Sequence, residues 1–358
     1  MNRLGRAAAV AAVVTAALGC AAQNGGASPT PRSSATTPST APSGDITLAA
    51  VGDMIFGNTP RLPPSPRHYL DRVDDVITAG AQIVFGNLEG TLTTASKSKC
   101  PPKSTQCFAF RNPPHYAKIF AAAGFTILND ANNHSHDFGN PGQQQTVRAI
   151  HRAGMAQTGL PGQIAVVRAG GHKVAFVGFA PYSYDASLLD LKSAAALIAK
   201  ARTEARVVVV YLHAGAEGSD KTHVTGHEEY AFGEDRGNPR HFAHLAIKNG
   251  ASLVIASGPH VLRGMEFFRG HLIAYSLGNF ANFHNFGGGG ILADSAILHV
   301  TLGPKGGFVT GRLYGVLLDG DGRPSLGGGS VGLVRTLSQQ DFGKHAARLS
   351  AHGTIRRP

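Results

Sequence analysis

Phe125-Thr126-Ile127-Leu128-Asn129-Asp130-Ala131-Asn132-Asn133-His134-Ser135-His136-Asp137-Phe138-Gly139 joins two kinds of sequence. The first four residues are a short apolar run that reads as a buried strand. The remainder packs amides, imidazoles and carboxylates at the C-terminal end of that strand, where open α/β sheets place their sites. Asn, His and Asp together can ligate a metal, hold a phosphate or move a proton. An ordinary turn needs one or two Asn or Asp residues; this packet carries far more ligand-type side chains than a turn requires.

The same grammar extends in both directions. Apolar runs at 46–52, 83–86, 174–179, 207–212, 253–256 and 272–275 read as strands. Between them, helical spacing appears at Leu70, Val73, Val76 and Ile77, then over 115–123, 142–153, 193–205 and 239–249. Strands alternating with helices predict an α/β fold. Beyond residue 291 the pattern becomes strand–turn–strand around Gly320-Asp321-Gly322-Arg323-Pro324, so a mixed sheet ending in antiparallel strands is expected. Polar residues recur where the strands end: Gly52-Asp53, Gly86-Asn87-Leu88-Glu89, the Asn132-Asn133-His134 packet, His213-Ala214-Gly215-Ala216-Glu217, Pro259-His260-Val261 and Ser276-Leu277-Gly278-Asn279-Phe280. Each alone has a plain explanation: a helix cap for Asp53, a solvated carboxylate for Glu89, a satisfied strand-end imidazole for His213. Six strand ends in this order predict convergence on a single rim.

That ordered set resembles the poly-γ-glutamate capsule-synthesis (CapA-type) family, related to the calcineurin-like metallophosphoesterases. The resemblance covers roughly residues 46–290. It implies a four-layer αββα sandwich of two mixed sheets. It also implies a site for one or two divalent ions (Mn, Fe or Zn), with Asp53, Glu89, Asn133, His213 and His260 as ligands. His134 would contact the leaving group as general acid, Asp137 is a second catalytic candidate, and Asn87, Glu217 and Asn279 are candidates to line the same pocket. Two positions depart from the metallophosphoesterase pattern. Ile55 stands where the first-strand motif has His, and Gly258 where another His precedes the last ligand. Each half-site loses an imidazole, which leaves one ion, weak binding or none open; His136, Asp137, Glu217 and Asn279 are candidates to compensate.

Composition bounds the rest. The 358 residues are 42% apolar and 15% charged, as in a globular protein with a sizeable core. Arg3 and Arg6 followed by an apolar run to Leu18 read as a signal peptide over 1–19. Gly19-Cys20 resembles a lipobox, with Cys20 as lipidation site and Ala17 where Leu is usual; simple secretion is the alternative. Residues 20–44, rich in Ser, Thr, Pro, Ala and Gly, form a disordered tether. The globular domain is expected over 45–338, and a frayed basic tail over 339–358. An exported cell-membrane lipoprotein facing outside follows. Cys100 and Cys107, isolated in a polar loop, are expected to form a disulfide there.

The formal charge of +11 falls by two, to +9, when residues 1–19 are removed. Such a surface favours an anionic polymer such as poly-γ-glutamate. The cations are scattered and no nucleic-acid module is present, so no nucleic-acid partner is expected. No Gly-x-Ser-x-Gly elbow supports a serine hydrolase, and Gly287–Gly290 is a loop rather than a phosphate-binding one. Two functions compete: an envelope-anchored metal-dependent hydrolase or transferase of capsule-polymer synthesis, and a non-catalytic polymer-binding, assembly or export factor working with capsule-synthesis membrane partners.

Overall fold

Ile46, Leu48 and Ala50 point to one face of the strand Ile46–Ile55, and Ala49 and Val51 to the other. Successive strand residues face opposite ways, so an apolar run without alternation requires cover on both sides. A computed structural model of the protein describes residues 44–102, 104–284 and 289–358 and supplies that cover. The leader, the tether with Cys20, and Gly287 and Gly288 lie outside the described residues.

The Ile46–Ile55 strand runs near the centre of a ten-stranded mixed sheet. On one side Ile83–Leu88, Ile127–Asn129 and Ala156–Thr158 follow it in parallel. On the other side Asp294–Leu302 and Phe308–Leu318 pair antiparallel. Asn279–Asn282 pairs in parallel with the far end of Ile46–Ile55. A second sheet has Val207–His213 and Leu253–Ser257 in parallel at its centre. Antiparallel hairpins, Ala165–Ala169 with His172–Phe179 and Met265–Phe268 with His271–Ala274, close its two edges.

One core lies between the sheets. It joins Leu48, Ala50 and Phe85 of the first to Phe176, Val209 and Tyr211 of the second. Phe85 stacks on Phe176 at 5.6 Å. Ala49, Val51 and Val84 form a second core with Ile77, Ile119, Phe120 and Ile150 from the helices on the outer side. Val208, Val210 and Leu212 form a third with Ile198, Ala201, Phe242 and Ala246. Helix, sheet, sheet, helix is the expected layering. Two helices start where side-chain caps dictate: Asp190 accepts from the Ser193 N–H at 3.0 Å for Leu191–Glu204, and Asn238 from the His241 N–H at 2.9 Å for Pro239–Lys248.

Four expectations change. The tail does not fray: Arg348–Leu349 and Thr354–Arg356 pair with each other, the second strand also pairs with Phe308–Leu318, and buried Leu349 and Ile355 join the central core. The helix expected through Leu70 shrinks to Asp74–Thr78 after a turn at Pro66–His68, yet Leu70, Val73 and Ile77 stay buried. Ala165–Ala169 is an additional strand, brought back by Gly170 and Gly171 at φ +57° and +81°, the twist a tight hairpin requires. Ala156–Thr158 extends the large sheet beyond the packet strand.

Candidate metal centre

Register aligns the polar strand ends. Asp53 is the pairing partner of Asn87 on one side and of Asn279 on the other, and Asn87 in turn pairs with Asn129. On the facing sheet Ser257 pairs with His213. The strands deliver this polar rung just beyond the apolar core, where Tyr211 and Phe85 end it.

Within the rung the amide nitrogens of Asn87, Asn129 and Asn279 all donate. Asn87 Nδ2 donates to Asp53 Oδ1 at 2.7 Å and lies 3.4 Å from His213 Nδ1. Its oxygen accepts from Asn129 at 2.7 Å and Asn132 at 3.1 Å. Ser257 Oγ donates to Asp53 Oδ1, and the Gly258 N–H reaches Asp53 Oδ2 at 3.2 Å. These bonds aim Asp53 at Glu89, His213 and His260. Glu89 Oε1 lies 3.8 Å from His213 Nε2 and 3.6 Å from His260 Nε2. His260 Nδ1 meets Asn279 Oδ1 at 2.9 Å, which turns Nε2 toward the carboxylates. Its backbone sits at φ +61°, a conformation a histidine rarely adopts and one that clusters at functional sites. Glu217 Oε2 approaches His260 Nε2 at 3.6 Å, while its Oε1 is 2.6 Å from buried Arg236. The loop bearing Glu217 is pinned by a buried pair: Arg263 donates to both Glu229 oxygens at 3.0 and 2.7 Å, and Glu229 accepts from the Ala216 N–H.

Electrostatics follow from this crowding. Burial raises the Asp53 and Glu89 carboxyls above their usual range, with His260 pulling them back. Burial would lower His260, but Glu89, Glu217 and Asp53 outweigh it and push its pKa up to about 10. His213 goes the other way: burial, then Arg236 and His260, hold it well below the usual value, so it stays neutral. Burial also lowers His134, against the pull of Asp137. Burial acts to raise Glu217, yet His260 and Arg236 bring it down to about 2.

These residues fit a divalent cation. Among the described residues both oxygens of Glu89, His213 Nε2 and Asn133 Oδ1 are buried without a hydrogen-bond partner. Buried polar atoms are ordinarily paired, and a carboxylate between two imidazole nitrogens is the donor set of a transition-metal site. Asp53, Glu89 and His260 offer ligand atoms all within 4.8 Å of one another.

The structure therefore gathers Asp53, Asn87, Glu89, His213, Glu217, His260 and Asn279 around one point. Asn133 stands farther out, its amide nitrogen 3.5 Å from Glu217 Oε1, beside a cleft of about 390 Å³ lined by Phe110, His134 and Arg236. His134 Nε2 is 4.0 Å from Glu89 Oε1 and its Nδ1 is 2.9 Å from Asp137. His136 does not compensate for a missing imidazole: it bonds Asn140 and stacks on Tyr184. Residues unforeseen from sequence are Arg236, Ser257 and Tyr211; Asn129 belongs to the packet, though the sequence assigns it no site role. Ser257 and Tyr211 carried a faint signal, on strand ends adjoining Gly258 and His213; Arg236 carried none. The expected Cys100–Cys107 disulfide is present.

Residues 47–284 match the family model described as bacterial capsule synthesis protein PGA_cap. The chain belongs to this capsule synthesis family. It is 25% identical over 221 residues to PGA biosynthesis protein CapA of Bacillus subtilis (strain 168), covering 57% of this chain and 54% of that protein. It is 26% identical over 259 residues to capsule biosynthesis protein CapA of Bacillus anthracis, covering 66% and 59% respectively. It thus spans little more than half the length of either. Among solved structures, a 5'-nucleotidase precursor from Thermus thermophilus aligns at 13% identity and a TM-score of 0.45, covering 78% of this chain and 56% of that one.

Proposed function

We propose that the protein is an envelope-anchored, metal-dependent hydrolase or transferase in the synthesis of poly-γ-glutamate or a related capsule polymer. One observation carries the catalytic part: Glu89, buried between His213 and His260, has neither oxygen hydrogen-bonded among the described residues. Asp53, Glu89, His213 and His260 would hold the ion, with Asn133 at its outer side. When bound, such an ion polarises an ester or amide oxygen and acidifies water. His134 faces the cleft and would carry a proton to the leaving group. Asp137 fixes its ring, and Phe110, 4.3 Å away ring to ring, keeps water from its face. His260 and Arg236 keep Glu217 ionised beside the cleft.

A second reading, a non-catalytic polymer-binding or export factor, draws on Gly258. Where metallophosphoesterases have an imidazole, this chain offers a backbone N–H to Asp53. Metal content and turnover of the purified mature protein separate the two. His213→Ala is expected to lose metal and turnover of a phosphodiester or γ-glutamyl amide together. His134→Ala should lose about 10²-fold or more in turnover and keep its metal. Equal metal loss in both would remove His134 from the role given it. Alanine variants of all the ligands that still support capsule assembly would leave the second reading standing.

A further inference from the structure

The disulfide loop lies against the cleft, and both of its flanks end on one carboxylate. Before the bridge, the Lys99 N–H donates to the Asp137 carbonyl at 2.7 Å, and Lys99 Nζ lies 2.6 Å from Asp137 Oδ1. The same ammonium donates to the Asn133 carbonyl at 2.8 Å. After the bridge, the Phe110 N–H donates to Asp137 Oδ2 at 2.6 Å, while the Phe110 ring packs on the His134 imidazole. Asp137 Oδ2 is also the oxygen that meets His134 Nδ1.

Asp137 is fully buried, and a buried carboxylate needs partners for both oxygens. It takes them from the two ends of a single loop. Among the described residues of that loop, Pro101, Pro102, Ser104, Thr105, Gln106 and Phe108 are all exposed. Without the crosslink from Cys100 to Cys107, whose Cα atoms lie 5.5 Å apart, only the backbone between them would limit their separation.

We propose that the Cys100–Cys107 loop is a positioning device for His134, with Lys99 as its working residue. The bridge holds Lys99 and Phe110 at the spacing that grips Asp137, and Asp137 fixes the imidazole in one orientation toward the cleft. This rests on the reading of His134 as proton carrier of the site. Asp137 is thus to His134 what an outer hydrogen-bond partner is to a metal-bound histidine, whose removal typically costs about 10- to 100-fold in metal affinity or activity, and Lys99 acts through Asp137.

The test uses the full mature chain as wild type, Lys99→Ala, Lys99→Arg and the double variant Cys100→Ser/Cys107→Ser. Three quantities are measured: Mn(II) content, turnover of bis(p-nitrophenyl) phosphate, and the ¹⁵N–¹H spectrum of the His134 ring in metal-free protein, assigned by its loss in His134→Gln. Lys99→Ala and the double variant are expected to lose about 10- to 100-fold in kcat with KM and metal content unchanged. Their His134 ring signal should pass from one tautomer to an average of two. Lys99→Arg, which keeps the charge, should recover most of both. An unchanged ring spectrum and kcat in the double variant would overturn the proposal, whatever happens to thermal stability. If the wild type turns nothing over, the ring spectrum still decides this inference while the hydrolase reading falls. Turnover that is metal-dependent but indifferent to the loop would sink this inference alone.

Discussion

Asp130 follows the last residue of the packet strand, Asn129, and is fully buried, with Gln157 donating to one oxygen and no hydrogen-bond partner for the other among the described residues. Burial, only partly offset by Gln157, pushes its pKa up to about 7. The folded state therefore keeps a proton that the unfolded chain releases near pH 3.8. Stability from this group is fully present below that value and declines as pH rises to about 7, at about 1.4 kcal/mol per pH unit. Asp130→Asn should match the wild type below about pH 4 and exceed it in urea midpoint at about pH 8; parallel profiles would contradict the assignment. At this scale Asp53, Glu89, His213 and His260 were legible because side chains that carry chemistry stood at successive strand ends. Arg236 and Lys99 were not, since a lone cation in a loop declares no partner until the chain folds.

Strands and turns set the spacing between those residues. Gly52 precedes Asp53 because the strand approaches the Gly278 carbonyl so closely that a Cβ would overlap it. The same approach lets the Asp53 N–H donate to Gly278 O at 3.0 Å and puts Asp53 level with Asn279. Gly52→Ala is expected to force the strands apart, costing roughly 1–3 kcal/mol as other overpacked core substitutions do. It should also lower metal content, read by elemental analysis beside a urea titration. A variant of wild-type stability and metal content would mean the approach is not needed. The parallel strands that could be read are apolar runs; Ala156–Thr158, with Gln157 and Thr158, is not one, and Ala165–Ala169 alternates exposed and buried residues and escaped notice although Gly170-Gly171 marked its hairpin. The tail misled for a related reason. Its basic residues face solvent, and Leu349 and Ile355 are buried where Thr354–Arg356 pairs with Phe308–Leu318 and Arg348–Leu349 pairs with Thr354–Arg356.

For the whole molecule, among the described residues no helix is long and apolar enough to cross a membrane; the proposed anchor is Cys20. Cys20→Ala should therefore move the protein from the membrane fraction to the medium or periplasm, as fractionation and immunoblotting would report. Wild-type protein found in the cytoplasm with residues 1–19 retained would refute the anchor. The amino-acid order by itself determined the α/β class, the capsule-synthesis family and the strand ends that bear the site, because strand periodicity and short motifs are local properties of the chain. Only the tertiary structure decided that two sheets face each other across the Phe85–Phe176 core and bring Asp53 and Glu89 of one against His213 and His260 of the other. It alone decided, too, that the Cys100–Cys107 loop grips Asp137. Those contacts join residues far apart in sequence, and the burial that shifts their protonation exists only once both sheets have closed over them.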